Sequence, residues 1–78
     1  MLWLKRQVGQ VTLVDGERLV LVAKNAGYVT VNFVGHDHTI CINGSLKFPK
    51  FTLHVASTGK GLRYGFETDV NIVREEIL

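Results

Sequence analysis

The sequence lacks most of the devices that stabilise or anchor small proteins. Its 78 residues include one cysteine and one proline. A single cysteine excludes an intrachain disulfide, and no second cysteine is present to complete a zinc-binding pattern. No apolar run reaches the ~18 residues of a transmembrane helix. The apolar start of the chain precedes Lys5 and Arg6, the reverse of the order in a secretory signal. We therefore expect a soluble, cytoplasmic protein in a reducing compartment, with no metal and no cofactor.

The chain is also short for a self-sufficient core. A domain of this size buries only about 60% of the surface that its unfolded chain exposes. Because the sequence has no disulfide framework, oligomerisation is the remaining common way to add buried surface.

Charge is unevenly distributed along the chain. The net charge is +2, but residues 1–66 hold eight Lys or Arg against three acids, and residues 67–78 hold one Arg against four acids. An anionic partner is therefore expected to bind a local patch and not the protein as a whole.

Helical periodicity is absent until the last four residues. Alternating and β-branched residues predict strands over residues 1–8, 11–14, 18–23, 28–34, 39–42, 51–56, 62–66 and 70–73. Asp15-Gly16 and Asn43-Gly44 are hairpin signals, and residues 35–38 are predicted to form a loop. The predicted fold class is all-β, with about eight strands and at most one C-terminal helical turn.

Two parts of the chain echo each other. Residues 11–16, 21–23 and 28–30 are mirrored by residues 39–44, 54–56 and 62–64, each set being strand, Asx-Gly turn, strand, loop and strand. The echo is either a duplicated three-strand meander or the shared turn chemistry of two hairpins.

The two ends of the chain resemble one protein family. Residues 1–9, Met-Leu-Trp-Leu-Lys-Arg-Gln-Val-Gly, resemble the opening of the carbon storage regulator (CsrA/RsmA) proteins, Met-Leu-x-Leu-Thr/Ser-Arg-Arg-x-Gly. Residues 70–77, Val-Asn-Ile-Val-Arg-Glu-Glu-Ile, resemble the closing strand of that family, Val-x-Val-His-Arg-Glu-Glu-Ile. Residues 62–65 also resemble the Val-Arg-Ile-Gly strand that precedes it.

The resemblance implies a bacterial translational regulator. It implies a small β-barrel or sandwich formed by an intertwined homodimer, in which the first strand of one subunit lies beside the last strand of the other. Each such pair would bind a GGA-containing loop of an mRNA or small regulatory RNA near a ribosome-binding site, with no DNA and no membrane as partner. The site residues it implies are Leu4, Lys5, Arg6, Val70, Ile72, Arg74 and Ile77.

Arg74 is the expected base-reading group of that site. An arginine fork matches the two acceptors of a guanine, and specific RNA recognition mostly targets unpaired loop bases. The aliphatic residues would form the floor on which these bases pack. Alternatively, Arg74 forms a surface ion pair with Glu67, Asp69 or Glu75.

The sequence departs from the family pattern in its middle. Residues 1–78 are expected to be one domain with an inserted β segment somewhere within residues 10–61. Placed early, the insert makes residues 39–42 the second strand of the family; placed late, it gives that role to residues 11–14. The insert also suggests an alternative function, a protein-interaction or scaffold dimer that has lost RNA binding.

Other groupings of polar residues give weaker signals. His36, Asp37, His38 and Cys41 are metal-ligand types, but Asp37 and Cys41 are expected to project away from the two histidines. Lys47, Lys50, Lys60 and Arg63 form either a second RNA-facing patch or solubilising edge charges. No nucleophile, base and orienting group converge, so we do not expect an enzyme.

Overall fold

The structure, a computed structural model, describes residues 1–59 and 61–78 and is built from antiparallel strands. The strands are β1 (Leu2–Arg6), β2 (Val11–Val14), β3 (Glu17–Lys24), β4 (Tyr28–Phe33), β5 (His36–Cys41), β6 (Ser45–Lys47), β7 (Thr52–Thr58), β8 (Gly61–Glu67) and β9 (Ile72–Arg74). A 3-10 turn, Glu75–Ile77, follows β9. The all-β prediction is confirmed, and β6 is a strand that the sequence pattern did not predict.

The strands form two sheets that pack face to face. One has the order β1-β8-β7-β6 and the other the order β5-β4-β3-β2-β9. Every second side chain of each strand points between the sheets, where the apolar residues form one core. Its fully buried members include Leu19, Leu21, Val29, Val31, Leu53, Val55, Tyr64 and Phe66. Within residues 1–59 and 61–78, no helix is long and apolar enough to cross a membrane.

The topology divides the chain into two similar halves. Each half has a lead strand followed by a three-strand meander: β1 leads β2-β3-β4, and β5 leads β6-β7-β8. Each lead strand leaves its own meander and pairs with the third strand of the other, β1 with β8 and β5 with β4. The second half alone has a trailing strand, β9, which pairs with β2 of the first half.

Tight turns set the register of the hairpins. Asp15 (φ 52°) and Gly16 (φ 80°) form the predicted two-residue turn between β2 and β3. Val34 (φ 51°) and Gly35 (φ 80°) form a second turn of the same kind, so β5 begins at His36 and the predicted loop over residues 35–38 is wrong. The sequence pattern did not predict this hairpin because a β-branched residue such as Val34 rarely adopts positive φ.

The connection from β5 to β6 carries the chain from one sheet to the other. Asn43 (φ 66°) lies in the predicted Asn-Gly turn. Its N–H donates to the Val55 carbonyl at 2.7 Å, and the Val55 N–H donates to the Gly44 carbonyl at 3.0 Å. These bonds align β6 beside β7. The predicted loop over residues 57–61 is a hairpin connection in which Thr58 pairs with Gly61, and Lys60 lies outside the described residues.

Candidate nucleic-acid interface

The two segments that resemble the RNA-binding family lie side by side within one chain. β1 is the outer strand of its sheet and β9 is the outer strand of the other. Leu2 lines a groove together with Ile72, and Arg6 bonds to Glu76, so the two strands run in the same direction. We call this junction, formed by β1, β9 and the following 3-10 turn, the β1–β9 seam.

The start of the seam is an open groove. It has a volume of about 660 Å³ and a mixed lining, in which Met1, Leu2, Val70 and Ile72 are apolar and Thr68 and Asn71 are polar. Glu67 and Asp69 lie on its rim. Because these carboxylates repel phosphate, the groove suits a base or an apolar group better than a nucleic-acid backbone.

The other end of the seam is closed by an ion pair. Nη2 of Arg6 donates to both carboxylate oxygens of Glu76, at 2.8 and 2.9 Å. The Arg6 side chain is fully buried, whereas 42% of the Glu76 side chain is exposed. The hydrogen bond from Arg6 is the main reason why the pKa of Glu76 lies below its usual value. Glu76 therefore acts as an anionic cap on a buried cation.

Buried polar groups accompany Arg6 inside the protein. Among the described residues, Nε and Nη1 of Arg6, Oγ1 of Thr12 and the hydroxyl of Tyr64 are enclosed and have no hydrogen-bond partner. Burial raises the pKa of Tyr64, and the nearby positive charge of Arg6 partly opposes that rise. This end of the core is therefore more polar than the rest of the described core.

Arg74 lies at the end of β9, directly before two glutamates that form ion pairs with other strands. Glu76 is bonded to Arg6 of β1, and Glu75 accepts from Nε of Arg18 in β3 at 3.1 Å. Arg74 itself is exposed, and within residues 1–59 and 61–78 its side chain makes no ion pair. The surface ion pair with Glu67, Asp69 or Glu75 is therefore not formed. The ion pairs of its neighbours fix the backbone while its guanidinium faces solvent.

The other predicted site residues divide into two groups. Leu4, Val70 and Ile72 are half-buried and pack against the core. Lys5 is exposed on the outer face of β1, and Ile77 is 62% exposed on the 3-10 turn. All seven predicted residues lie at the seam, but Arg6 points inward, so its direct contribution is to hold Glu76.

Trp3 lies on the outer face of the same strand. It is 46% exposed and opposite Gly65 in the ladder. A Cβ atom at Gly65 would lie 2.8 Å from the indole ring, so the ring rests directly on this glycine. As the single tryptophan of the chain, it is an intrinsic fluorescent reporter of β1.

The remaining polar groupings do not converge on a second site. His36, Asp37, His38 and Cys41 all lie on β5, and within the described residues no three side chains of metal-ligand type come together. Lys50 is bonded to Asp15 at 2.9 Å. His54 contacts Glu67 at 2.8 Å, on the outer face of its sheet.

Sequence reasoning missed Glu76, Thr12 and Tyr64 as components of the seam. The sequence suggests Glu75 only as an ion-pair partner of Arg74 and suggests no partner for Glu76. Their actual partners, Arg18 and Arg6, are 57 and 70 residues away in the chain. A signal was available at Arg6, since it occupies an inward position in the alternation of β1, where an arginine requires an anionic partner.

Comparisons with protein-family models, with curated proteins and with solved structures find no match for this chain.

Proposed function

We propose that this protein binds single-stranded RNA along the β1–β9 seam, with a GGA-type loop as its target, and that it regulates translation by covering ribosome-binding sites. The observation that carries the proposal is the state of Arg74. It is an exposed arginine directly before Glu75 and Glu76, which are both held by ion pairs, and its own fork of donors is unused.

The seam offers three kinds of contact to such a loop. Arg74 supplies donors for the O6 and N7 acceptors of a guanine. The outer backbone edges of β1 and β9 have no ladder partner among the described strands, and they supply further donors and acceptors. The apolar side chains of Leu2 and Ile72 in the groove supply a surface for an unstacked base.

We expect the RNA backbone to lie at the Arg74 end of the seam because of the charges there. Lys5 and Arg74 are both exposed there, whereas Glu67 and Asp69 occupy the opposite end. Phosphates would therefore follow the cations, and the bases would point along the groove.

The test is an affinity measurement with matched hairpins. Two RNAs differing only in the loop, GGA or CCA, are titrated while RNA anisotropy and Trp3 fluorescence are recorded. We expect tighter binding of the GGA loop and an affinity that falls as salt rises. Equal affinity for both loops would remove the sequence-reading role, and a flat salt profile would remove the phosphate contacts.

A second candidate is a protein-interaction module. Several exposed apolar side chains surround the seam, including Met1, Leu2, Ile77 and Leu78. An extended segment of a partner protein added to the free edge of β1 or β9 would cover them. Absence of RNA binding at micromolar protein would favour this candidate.

A further inference from the structure

We propose that one chain, as a monomer, forms a single complete RNA site, because the protein is an internal duplicate that has kept the β1–β9 seam and closed the equivalent junction. This inference rests on the proposed RNA-binding function. The observation that carries it is the exchange of lead strands within one chain, β1 onto β8 and β5 onto β4.

The ladders define which positions of the two halves are equivalent. Leu53 and Val55 of β7 face Phe66 and Tyr64 of β8, as Leu19 and Leu21 of β3 face Phe33 and Val31 of β4. Phe33 and Phe66 both contact the Phe51 ring, at 5.3 and 6.0 Å, so they lie at the same end of the core. By ladder register, Leu19 is therefore equivalent to Leu53 and Phe33 to Phe66.

This register corrects the echo in the sequence. The echo pairs residues 11–14 with residues 39–42, but β6 and not β5 takes the place of β2. Thr12 is opposite Leu19 and Leu46 is opposite Leu53, which makes Thr12 and Leu46 equivalent. The lead strands follow the same rule, since Arg6 is opposite Leu62 and Ile40 is opposite Val29.

The polar groups of the seam have apolar counterparts in the other half. Arg6 corresponds to Ile40, Tyr64 to Val31 and Thr12 to Leu46. Ile40 and Val31 are fully buried, and Leu46 packs against the same core. A structural requirement shared by both halves would not demand polar residues in one half alone. The polar residues therefore occur at the β1–β9 seam, the junction that has a trailing strand.

The backbone shows the same asymmetry. β9 occupies the edge of β2, next to β1, and leaves the groove. At the equivalent place, the chain turns directly from β4 into β5 through Val34 and Gly35, and β5 contacts β6. A lead strand beside a trailing strand therefore occurs once per chain, and both strands come from the same chain.

A homodimer with two sites is the competing arrangement, and tandem RNA distinguishes the two. One RNA carries two GGA loops joined by a flexible spacer, and its control carries one GGA and one CCA loop. Binding curves and native masses are measured for both with the 78-residue chain of 8.7 kDa. A monomer with one site gives the same affinity per GGA loop in both RNAs, with two separate chains on the tandem RNA and one on the control.

A two-site dimer behaves differently because its second site binds intramolecularly. It would bind the tandem RNA about 10²–10⁴-fold more tightly than the control, with a mass of one dimer per RNA. That result overturns the single-site monomer and leaves RNA binding intact. If neither RNA binds, both the monomer site and the proposed function are wrong.

Discussion

The two places where the sheets approach each other differ in width and in chemistry. At the β1–β9 seam, the strands are separated by a groove and a buried arginine is capped by a glutamate. At the β5–β6 junction, the short turn through Asn43 and Gly44 joins the two strands, and the buried residue equivalent to Arg6 is Ile40. One junction is apolar, and the other buries the polar groups of Arg6, Thr12 and Tyr64. The two junctions therefore differ in polarity at equivalent positions of the two halves.

The largest effect is expected when a buried arginine, like Arg6 at the seam, is introduced at the equivalent position of the β5–β6 junction. Ile40→Arg buries a guanidinium where the described structure offers no equivalent of Glu76. An unpaired buried charge costs about 3–5 kcal/mol or more. A domain of this size has a free energy of unfolding of only about 4–12 kcal/mol. We expect the free energy of unfolding to fall by about 3–5 kcal/mol, a large share of the total, as measured by circular dichroism during urea titration.

The control for this test is Ile40→Val, which removes one methylene and should cost about 0.5–1.5 kcal/mol. If Ile40→Arg folds with a cost no larger than that of the control, the two junctions do not differ in the way described.

Arg74→Ala tests the exposed surface of the β1–β9 seam. Arg74 is exposed and its side chain forms no ion pair in the described structure, so the free energy of unfolding should change by no more than about 0.5 kcal/mol. The loss of a base-reading fork should weaken RNA binding by about 1–3 kcal/mol. Arg74→Lys keeps the charge but not the fork, so it should recover the salt dependence and not the preference for GGA.

Lys47→Ala is the matched control for Arg74→Ala. It removes another exposed cation from β6, at the opposite edge of the sheet that contains β1. Equal weakening by the two substitutions would show that Arg74 contributes only general charge.

Arg6→Ile makes the β1–β9 seam resemble the β5–β6 junction, where the equivalent residue is Ile40. Once the arginine is removed, Glu76 can extend into water, so no unpaired buried charge remains. We expect the free energy of unfolding to stay the same or to rise by about 1 kcal/mol, because replacing a buried ion pair by apolar packing is often neutral or stabilising. A loss of several kcal/mol in urea titrations would instead make Arg6 a structural requirement.

The same variant should weaken RNA binding. Without Arg6, the 3-10 turn loses its anchor on β1, and Arg74 is no longer held in one direction. We expect a loss of about 1 kcal/mol, the worth of one oriented hydrogen bond. Unchanged RNA affinity would separate Arg6 from the site.

The strands were predictable where local chemistry decided them. Alternation and the Asp15-Gly16 turn place β2 and β3, and β-branched residues place β4. The positive φ of Val34 contradicts the preference of its residue type, and for this reason the β4–β5 hairpin was predicted as a loop. β6 is three residues long and is aligned by bonds to Val55, which no local pattern reveals.

The two strands of the candidate site, β1 and β9, could be predicted from the sequence, but their position beside each other in one chain could not. The resemblance selected the strands around Arg6 and Arg74, and the structure places both at one seam. It could not indicate that both strands come from the same chain, because strand exchange depends on topology and not on the residues of either strand. It also could not reveal that Arg6 points inward, since the cap on Glu76 forms across 70 residues.

The smallest expected effect is the pH dependence of the Arg6–Glu76 pair. The hydrogen bond from Arg6 lowers the pKa of Glu76 from its ordinary 4.5, so the folded state holds this carboxylate charged where the unfolded chain begins to protonate it. The stabilisation is complete above pH 4.5 and is lost as the pH falls through the lowered pKa.

Melting temperatures measured between about pH 6 and pH 3 should therefore fall more steeply for the wild type than for Glu76→Gln. The pairs Arg18–Glu75 and Lys50–Asp15 are present in both proteins and cancel in the difference. The residue equivalent to Arg6 at the β5–β6 junction is the apolar Ile40, so this difference in melting temperature reports the β1–β9 seam alone. Parallel dependence of the two melting temperatures on pH would show that the Arg6–Glu76 pair contributes nothing to stability.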